Sequence, residues 1–121
     1  MKKVTLLRSI LTTYDLKFQR KAKKLFSKLG EPVKSQFKEK LKKVLENPHI
    51  EANRLYGPLS GCYKIKLKQS GYRLVYKVED GELIVLVLAI GKRERKEAYL
   101  MSERILDKGL ALRNLRPDAK N

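Results

Sequence analysis

Three basic residues whose spacing could form a phosphate-binding site lie in the middle of the chain. Lys64 and Lys66 are separated by one residue, so in a β-strand their side chains point to the same face of the sheet. Arg73 follows a short turn at residues 69–71, and we expect it on the neighbouring strand, close to both lysines. Like charges side by side destabilise a sheet. The cluster therefore favours a phosphate site over a merely solvated face.

Further candidates for this surface come from the rest of the predicted sheet and from the segment after it. Lys68 and Lys77 continue the alternating pattern, although such lysines are equally typical of a solvated strand. Arg93 and Arg95 follow the last predicted strand, where an arginine can reach over the basic face; as a pair alone they would be a charge cluster at a helix start. Tyr99 comes next, and a lone tyrosine there is more typical of packing with an exposed hydroxyl.

Other reactive residues lack the partners that their chemistry needs. The chain has one histidine, His49, and one cysteine, Cys62, which excludes a zinc site built from cysteine and histidine ligands. His49 stands in a predicted loop without an evident partner, and Cys62 is expected to be a packing residue rather than a nucleophile. No glycine-rich phosphate loop or nucleophile elbow occurs. We therefore predict no metal and no small-molecule cofactor.

The charge of the chain indicates what the basic surface binds. The 121 residues include 29 Lys and Arg against 13 Asp and Glu, a net charge of +16. Such a charge attracts polyanions and makes nucleic acid the expected partner class, although an anionic membrane or an acidic protein would respond to the same field. No apolar run reaches the roughly 20 residues of a membrane-spanning helix, and a single cysteine fits a reducing compartment. We expect a cytoplasmic protein.

The elements that precede the basic strands form one layer of the predicted fold. Residues 14–18 alternate between apolar and polar side chains, which predicts a strand. Apolar residues at helical spacing then predict a helix that ends at Gly30. A second helix has Pro32 in its first turn and stops at Asn47-Pro48. The short connection predicts that the two helices pack as an antiparallel hairpin.

Three strands and a helix complete the predicted fold. Residues 63–68 and 72–78 alternate, and Asp80-Gly81 predicts a hairpin turn. Residues 83–90 are nearly all Leu, Ile and Val, so this strand is expected at the centre of the sheet, with the first strand as its second neighbour. A helix over about residues 94–108 follows. The class is α+β, in the order β-α-α-β-β-β-α: a small antiparallel sheet with the N-terminal helical hairpin on one face and a C-terminal helix.

Several segments together resemble the RelE-type toxins of the RelE/ParE toxin superfamily. They are Ile50–Asn53, Cys62–Leu67, Gly71–Tyr76 and Gly91–Arg95, with Tyr99 after them. The resemblance implies a RelE-like domain, which we place at residues 13–108. Residues 1–12 are then an N-terminal extension and residues 109–121 a tail, and neither is assigned a function.

The resemblance implies the toxin of a type II toxin–antitoxin system. Its activity would be a ribosome-dependent endoribonuclease that cleaves messenger RNA in the ribosomal A site and so inhibits translation. The 2′-hydroxyl attacks the adjacent phosphate and leaves a 2′,3′-cyclic phosphate and a free 5′-hydroxyl. The implied partners are a RelB-like antitoxin and a ribosome with messenger RNA in its A site. Two alternatives stay open: a non-enzymatic RNA- or ribosome-binding protein, and a ParE-like topoisomerase inhibitor.

The resemblance also implies catalytic roles for individual residues. Lys66 matches the proposed general base, with Lys64 beside it, and Tyr99 would stack on a base of the RNA or act as the general base itself. Arg73 and Arg93 would hold the phosphate and stabilise its developing charge. The resemblance also offers Arg93 as the proton donor to the leaving oxygen, but a guanidinium with a pKa above about 12 is a poor acid. A lysine acts as a base only if its pKa falls below about 10.4, which neighbouring cations favour. The surrounding cations are expected to bind RNA: Lys68, Lys77 and Arg95.

Overall fold

The computed structural model describes residues 13–93 and 96–108. The elements follow the predicted order: β1 Asp15–Phe18, α1 Arg20–Lys28, α2 Glu31–Glu46, β2 Cys62–Lys66, β3 Tyr72–Glu79, β4 Ile84–Lys92 and α3 Glu97–Asp107. The predicted α+β class is confirmed. The proposed extension at 1–12, the proposed tail at 109–121 and Arg95 lie outside the described residues.

The sheet is mixed, where an antiparallel sheet was predicted. Its strand order is β1-β4-β3-β2, which confirms β4 as a central strand with β1 as its second neighbour. The pairs β2–β3 and β3–β4 are antiparallel, but β1 runs parallel to β4. The antiparallel pairs are joined by short turns that fix their direction. No such turn joins β1 to β4, and an alternating pattern carries no information about strand direction.

The helical hairpin forms where the two predicted helices lie. The side chain of Gln19 caps α1 by accepting a hydrogen bond from the Lys21 backbone N–H at 3.1 Å. Gly30 caps α2, Pro32 occupies its first turn, and the helix ends at Asn47. None of the helices in the described part of the chain is both long and apolar enough to traverse a bilayer.

One hydrophobic cluster lies between the hairpin and the sheet. Both helices contribute buried residues, among them Ala22 from α1 and Phe37 from α2. Tyr63, Ile65 and Leu67 enter the same cluster from β2 and the residue after it. The hairpin therefore buries the apolar alternate residues of β2, as the sequence pattern predicts, and leaves Lys64 and Lys66 on the other face.

A second hydrophobic cluster lies on that other face, beneath α3. It includes Leu86, Leu88 and Ala89 from β4 and Ala98 and Ile105 from α3. The hairpin covers β4 on one side and α3 covers it on the other, which explains why this strand is apolar throughout. The basic residues of β2 and β3 thus lie beside a packed helix rather than on a bare sheet.

Candidate active site

The register of β2 and β3 brings the predicted basic residues together. Lys66 lies directly opposite Arg73, and Lys64 lies opposite Val75. Directly opposed residues of an antiparallel pair share a face of the sheet. Lys64, Lys66 and Arg73 therefore occupy one face, as their spacing led us to expect.

Arg73 is the most deeply set of these cations. Its side chain is only 8% exposed, and Nη1 donates a hydrogen bond to the Tyr72 carbonyl at 3.2 Å. Among the residues that the structure describes, no carboxylate forms an ion pair with Arg73. A guanidinium has five N–H donors, so this buried cation keeps donors for an anionic ligand.

Lys66 is exposed and lies at the centre of the positive charge. The pKa of its ammonium group is lowered, and the largest cause is the charge of Lys64. Some loss of solvation contributes next, followed by the charges of three further cations: Arg73, Lys68 and Arg93. Lys66 therefore loses its proton to form the neutral amine more readily than an isolated lysine does. A general base requires a pKa shift in this direction.

Arg93 is held by its backbone while its side chain remains exposed. It follows the last residue of β4, and its N–H donates to the carbonyl of Gly71 at 2.8 Å. Its own carbonyl accepts from the N–H of Lys96 at 3.0 Å. These bonds tie Arg93 to the turn that leads into β3, and its charge acts on Lys66. The structure therefore places Arg93 at the basic cluster.

Tyr99 lies on α3, half-buried against the second hydrophobic cluster. The helix approaches the sheet closely because Gly91 has no side chain. A Cβ atom at Gly91 would lie 2.5 Å from Cβ of Glu97 and 3.0 Å from the backbone nitrogen of Ala98. Gly91 is also the residue opposite Arg73 on β4. The close contact thus fixes the first turn of α3 next to the strand position of Arg73.

Of the predicted RNA-binding cations, one lies at the basic cluster and another lies away from it. Lys68 is exposed, and its charge contributes to the lowered pKa of Lys66. Lys77 lies opposite Cys62 at the other end of β2, and its Nζ pairs with Oε2 of Glu79 at 2.6 Å. The structure therefore brings Lys68 to the cluster and leaves Lys77 apart from it. Arg95 lies outside the described residues.

A second group of polar residues was missed because its members are distant in sequence. His49, for which the sequence shows no evident partner, has two: its Nδ1 lies 2.9 Å from the Tyr63 hydroxyl and its Nε2 lies 2.9 Å from Oδ1 of Asp80. The Tyr14 hydroxyl donates to the same Asp80 oxygen at 2.6 Å. These bonds join the loop before β2, the β3–β4 turn and the start of β1. They connect elements of the fold and lie apart from the basic cluster.

The structure shows the surroundings of Cys62 and of the side chains that could bind a metal. Cys62 is fully buried, and burial raises the pKa of its thiol to about 11. A protonated, buried thiol is a packing group, as the sequence suggested. Within the described residues, no group of three or more His, Cys, Asp or Glu side chains is arranged to hold a metal ion.

Comparison with known proteins gives a family and close relatives. Residues 13–97 match the family described as the ParE toxin of the type II toxin–antitoxin system parDE. The chain is 55% identical over 86 residues to the mRNA interferase toxin RelE of Escherichia coli strain K12, covering 71% of this chain and 90% of that protein.

Solved structures agree with the sequence match. A mutant of the E. coli toxin RelE in the free state superposes with a TM-score of 0.70 at 49% identity, covering 76% of this chain and 96% of the other. A chain of the intact E. coli RelBE toxin–antitoxin complex superposes with a TM-score of 0.63 at 53% identity, covering 65% of this chain and 95% of that chain.

Proposed function

The chain belongs to the RelE-type toxins of the RelE/ParE toxin superfamily, and from this premise we infer that it is an mRNA interferase of a type II toxin–antitoxin system. It cleaves messenger RNA in the ribosomal A site and thereby inhibits translation. The family description names ParE toxins, but 55% identity over 90% of an mRNA interferase favours the nuclease over a topoisomerase inhibitor. Its partners are a RelB-like antitoxin and the ribosome, and we propose the cytoplasm as its location.

One observation carries the catalytic part of this proposal: the register of β2 and β3 places Lys66 directly opposite Arg73 and on the same face as Lys64, and these neighbours lower its pKa. A non-enzymatic RNA-binding surface would also gather cations, and it is the 55% identity to an mRNA interferase that favours catalysis at this cluster. We therefore assign the general base to Lys66, with Lys64 as the residue that most favours its neutral form. Lys66 accepts the proton of the 2′-hydroxyl as that oxygen attacks the adjacent phosphorus.

The two arginines stabilise the phosphate during this step. Negative charge develops on the non-bridging oxygens as the bond from phosphorus to O2′ forms and the bond to O5′ breaks. Arg73, already buried and held by its bond to the Tyr72 carbonyl, supplies donors that need little reorganisation. Arg93, which follows β4 beside the start of β3, supplies a second charge. The leaving O5′ takes a proton from solvent water, and Lys66 later returns its proton to solvent. The products are a 2′,3′-cyclic phosphate and a 5′-hydroxyl.

The remaining residues bind and orient the RNA. We propose that Tyr99, held on a packed helix, stacks on a base next to the cleaved bond. Lys68 contacts the phosphate backbone beside Lys66. Lys77 contributes less, because Glu79 already neutralises it. Arg95 keeps its predicted role as an RNA contact.

Mapping the 5′ ends of cellular messenger RNA after brief expression tests this function. The wild-type chain should create new 5′-hydroxyl ends within translated codons, and Lys66→Ala and Arg93→Ala should abolish or greatly reduce them. Lys42→Ala, which removes an exposed lysine of α2, is the matched control and should cleave normally. Growth arrest without new RNA ends would reject the nuclease, and arrest with DNA breaks would point to a topoisomerase instead.

A further inference from the structure

A groove of about 530 Å³ lies between α2 and the outer edge of the sheet. Its sheet side is formed by β2, which is one of the two edge strands, and by the turn after it. An isolated bridge from Arg54 to Tyr63 covers the start of this edge, and the groove lies beyond it, along residues 65–69. Pockets of about 300–1,000 Å³ are typical of sites for small ligands.

The walls of the groove carry positive charge on both sides. On the helix side lie Lys40 and Lys43, which are three residues apart on α2 and therefore share one face. On the sheet side lie Lys66 and Lys68. No acidic side chain is among the described residues that line the groove. The chemistry of the walls thus suits an anion with charges spaced across the groove.

The floor of the groove is apolar and its rim carries amides. Buried aliphatic side chains form the floor: Val44, Ile65 and Leu67, with the half-buried Ile50 beside them. The carboxamides of Gln36, Asn53 and Gln69 stand among the lysines. An apolar floor with amide donors and acceptors accommodates a flat heterocycle, and the lysines accommodate phosphate. A nucleotide combines both features.

We propose that this groove binds the nucleotide next to the cleaved phosphate of the messenger RNA, with Lys40 and Lys43 on the adjoining phosphates. The inference rests on the proposed function, because Lys66 belongs both to the catalytic cluster and to the groove. An RNA strand whose scissile phosphate lies at Lys66 is already at the mouth of the groove. The strand then continues over the sheet edge towards α2.

A pair of double variants tests the proposal with equal changes in net charge. Lys40→Ala/Lys43→Ala removes the helix side of the groove. Lys38→Ala/Lys42→Ala removes two exposed lysines of the same helix that do not line it. All four lysines are exposed, so both variants should fold, which thermal melts will verify. The probe is a hexaribonucleotide with 2′-O-methyl groups, which cannot be cleaved.

The salt dependence of binding distinguishes the two variants. Each phosphate contact to a single strand contributes about 0.7 to the slope of log K against log salt. The slope should therefore fall by about 1.4 in Lys40→Ala/Lys43→Ala and stay at the wild-type value in the control. Equal slopes in both variants would overturn the proposal, because Lys40 and Lys43 would then contribute no more to RNA binding than other surface lysines.

Ribosomal cleavage and antitoxin binding complete the test. Lys40→Ala/Lys43→Ala should lower kcat/KM on ribosome-bound messenger RNA, whereas Lys38→Ala/Lys42→Ala should not. A loss of antitoxin binding with an unchanged RNA slope would assign the groove to an acidic peptide and overturn the proposal. If the wild-type chain cleaves no RNA, the proposed function fails, while the slopes still decide where RNA binds.

Discussion

Lys66 differs from an ordinary surface lysine in its neighbours rather than in its burial. It is exposed, yet the charges of Lys64, Arg73 and Arg93 all lower its pKa. The alternation of β2 places Lys64 on the same face, and the register of β2 with β3 adds Arg73. The lowered pKa of Lys66 is therefore a consequence of the sheet that gathers these cations.

Removing the main neighbour should restore an ordinary lysine. We expect Lys64→Met to raise the pKa of Lys66, because the charge of Lys64 is the largest cause of its lowering. The change is measured by following the Lys66 side chain in an NMR titration. Lys77→Met serves as the control, since Lys77 is paired with Glu79 and is not among the charges that lower the pKa of Lys66. An unchanged pKa in Lys64→Met would show that the two lysines do not interact in solution.

At the scale of elements, the contact between α3 and β4 decides where Tyr99 lies. Gly91 allows this contact, because any Cβ atom there would overlap the first turn of the helix at Glu97. Arg93 comes two residues after Gly91, directly after the end of the same strand. The contact between Gly91 and α3 therefore sets the position of the helix that carries Tyr99 relative to Arg93, a residue of the candidate site.

Gly91→Ala should displace α3 and weaken cleavage. Overpacking of this kind costs typically about 1–3 kcal/mol, and we expect faster hydrogen exchange of the amides at residues 97–107. Gly81→Ala is the matched control, because a Cβ there meets no atom within 4 Å. Both are assessed by thermal unfolding and ribosomal cleavage. Wild-type stability and activity in Gly91→Ala would mean that α3 can move without consequence.

The contacts of Asp80 join elements at the opposite end of the sheet from Lys66. Hydrogen bonds from Tyr14 and then from His49 lower the pKa of the Asp80 carboxyl. Tyr63 bonds to the other nitrogen of His49, and β2 is thereby linked to the β3–β4 turn. The group holds the strand that carries Lys64 and Lys66 of the candidate site.

The stability that Asp80 contributes should depend on pH in one direction. A carboxyl with a lowered pKa in the folded state stabilises the fold above its ordinary pKa near 3.8, and this contribution disappears as the pH falls through the folded value. Because Asp80 is mostly exposed, the contribution should be no more than about 1 kcal/mol. Urea unfolding should show Asp80→Asn to be less stable than wild type at pH 7. A gap that persists unchanged at pH 2 would contradict this account.

At the scale of the whole molecule, a net charge of +16 provides attraction to RNA but little acid–base chemistry. Ordinary ribonucleases of this reaction type use groups that exchange protons readily near neutral pH. Here the basic cluster consists of lysines and arginines, and His49 lies elsewhere. Most of the rate must therefore come from placing the 2′-hydroxyl in line with the phosphate, which can contribute roughly 7–11 kcal/mol.

Cleavage should consequently depend on the ribosome. We expect free RNA to bind with strong salt dependence but to be cleaved weakly or undetectably, because an exposed group of lysines and arginines does not fix the geometry of a flexible strand. The same messenger should be cleaved when it is held in a ribosome with an empty A site. Single-turnover rates of the two substrates provide the comparison. Equal rates would reveal a self-sufficient acid–base pair in this protein.

The sequence by itself determined the elements and much of the candidate site. Alternation and helical spacing are local properties, so they located the strands, the hairpin and the central position of β4. The spacing of Lys64 and Lys66 placed both on one face for the same reason. Resemblance to a family then added roles for Arg93 and Tyr99.

Only the tertiary structure decided how distant segments meet. It made β1 parallel to β4, placed α3 on the face beside the basic residues, and formed the groove between α2 and β2. It also gave His49 its partners and paired Lys77 with Glu79. Periodicity shows which face a residue occupies within its own element. It does not show which residue of another element lies opposite, because that depends on packing between segments far apart in the chain.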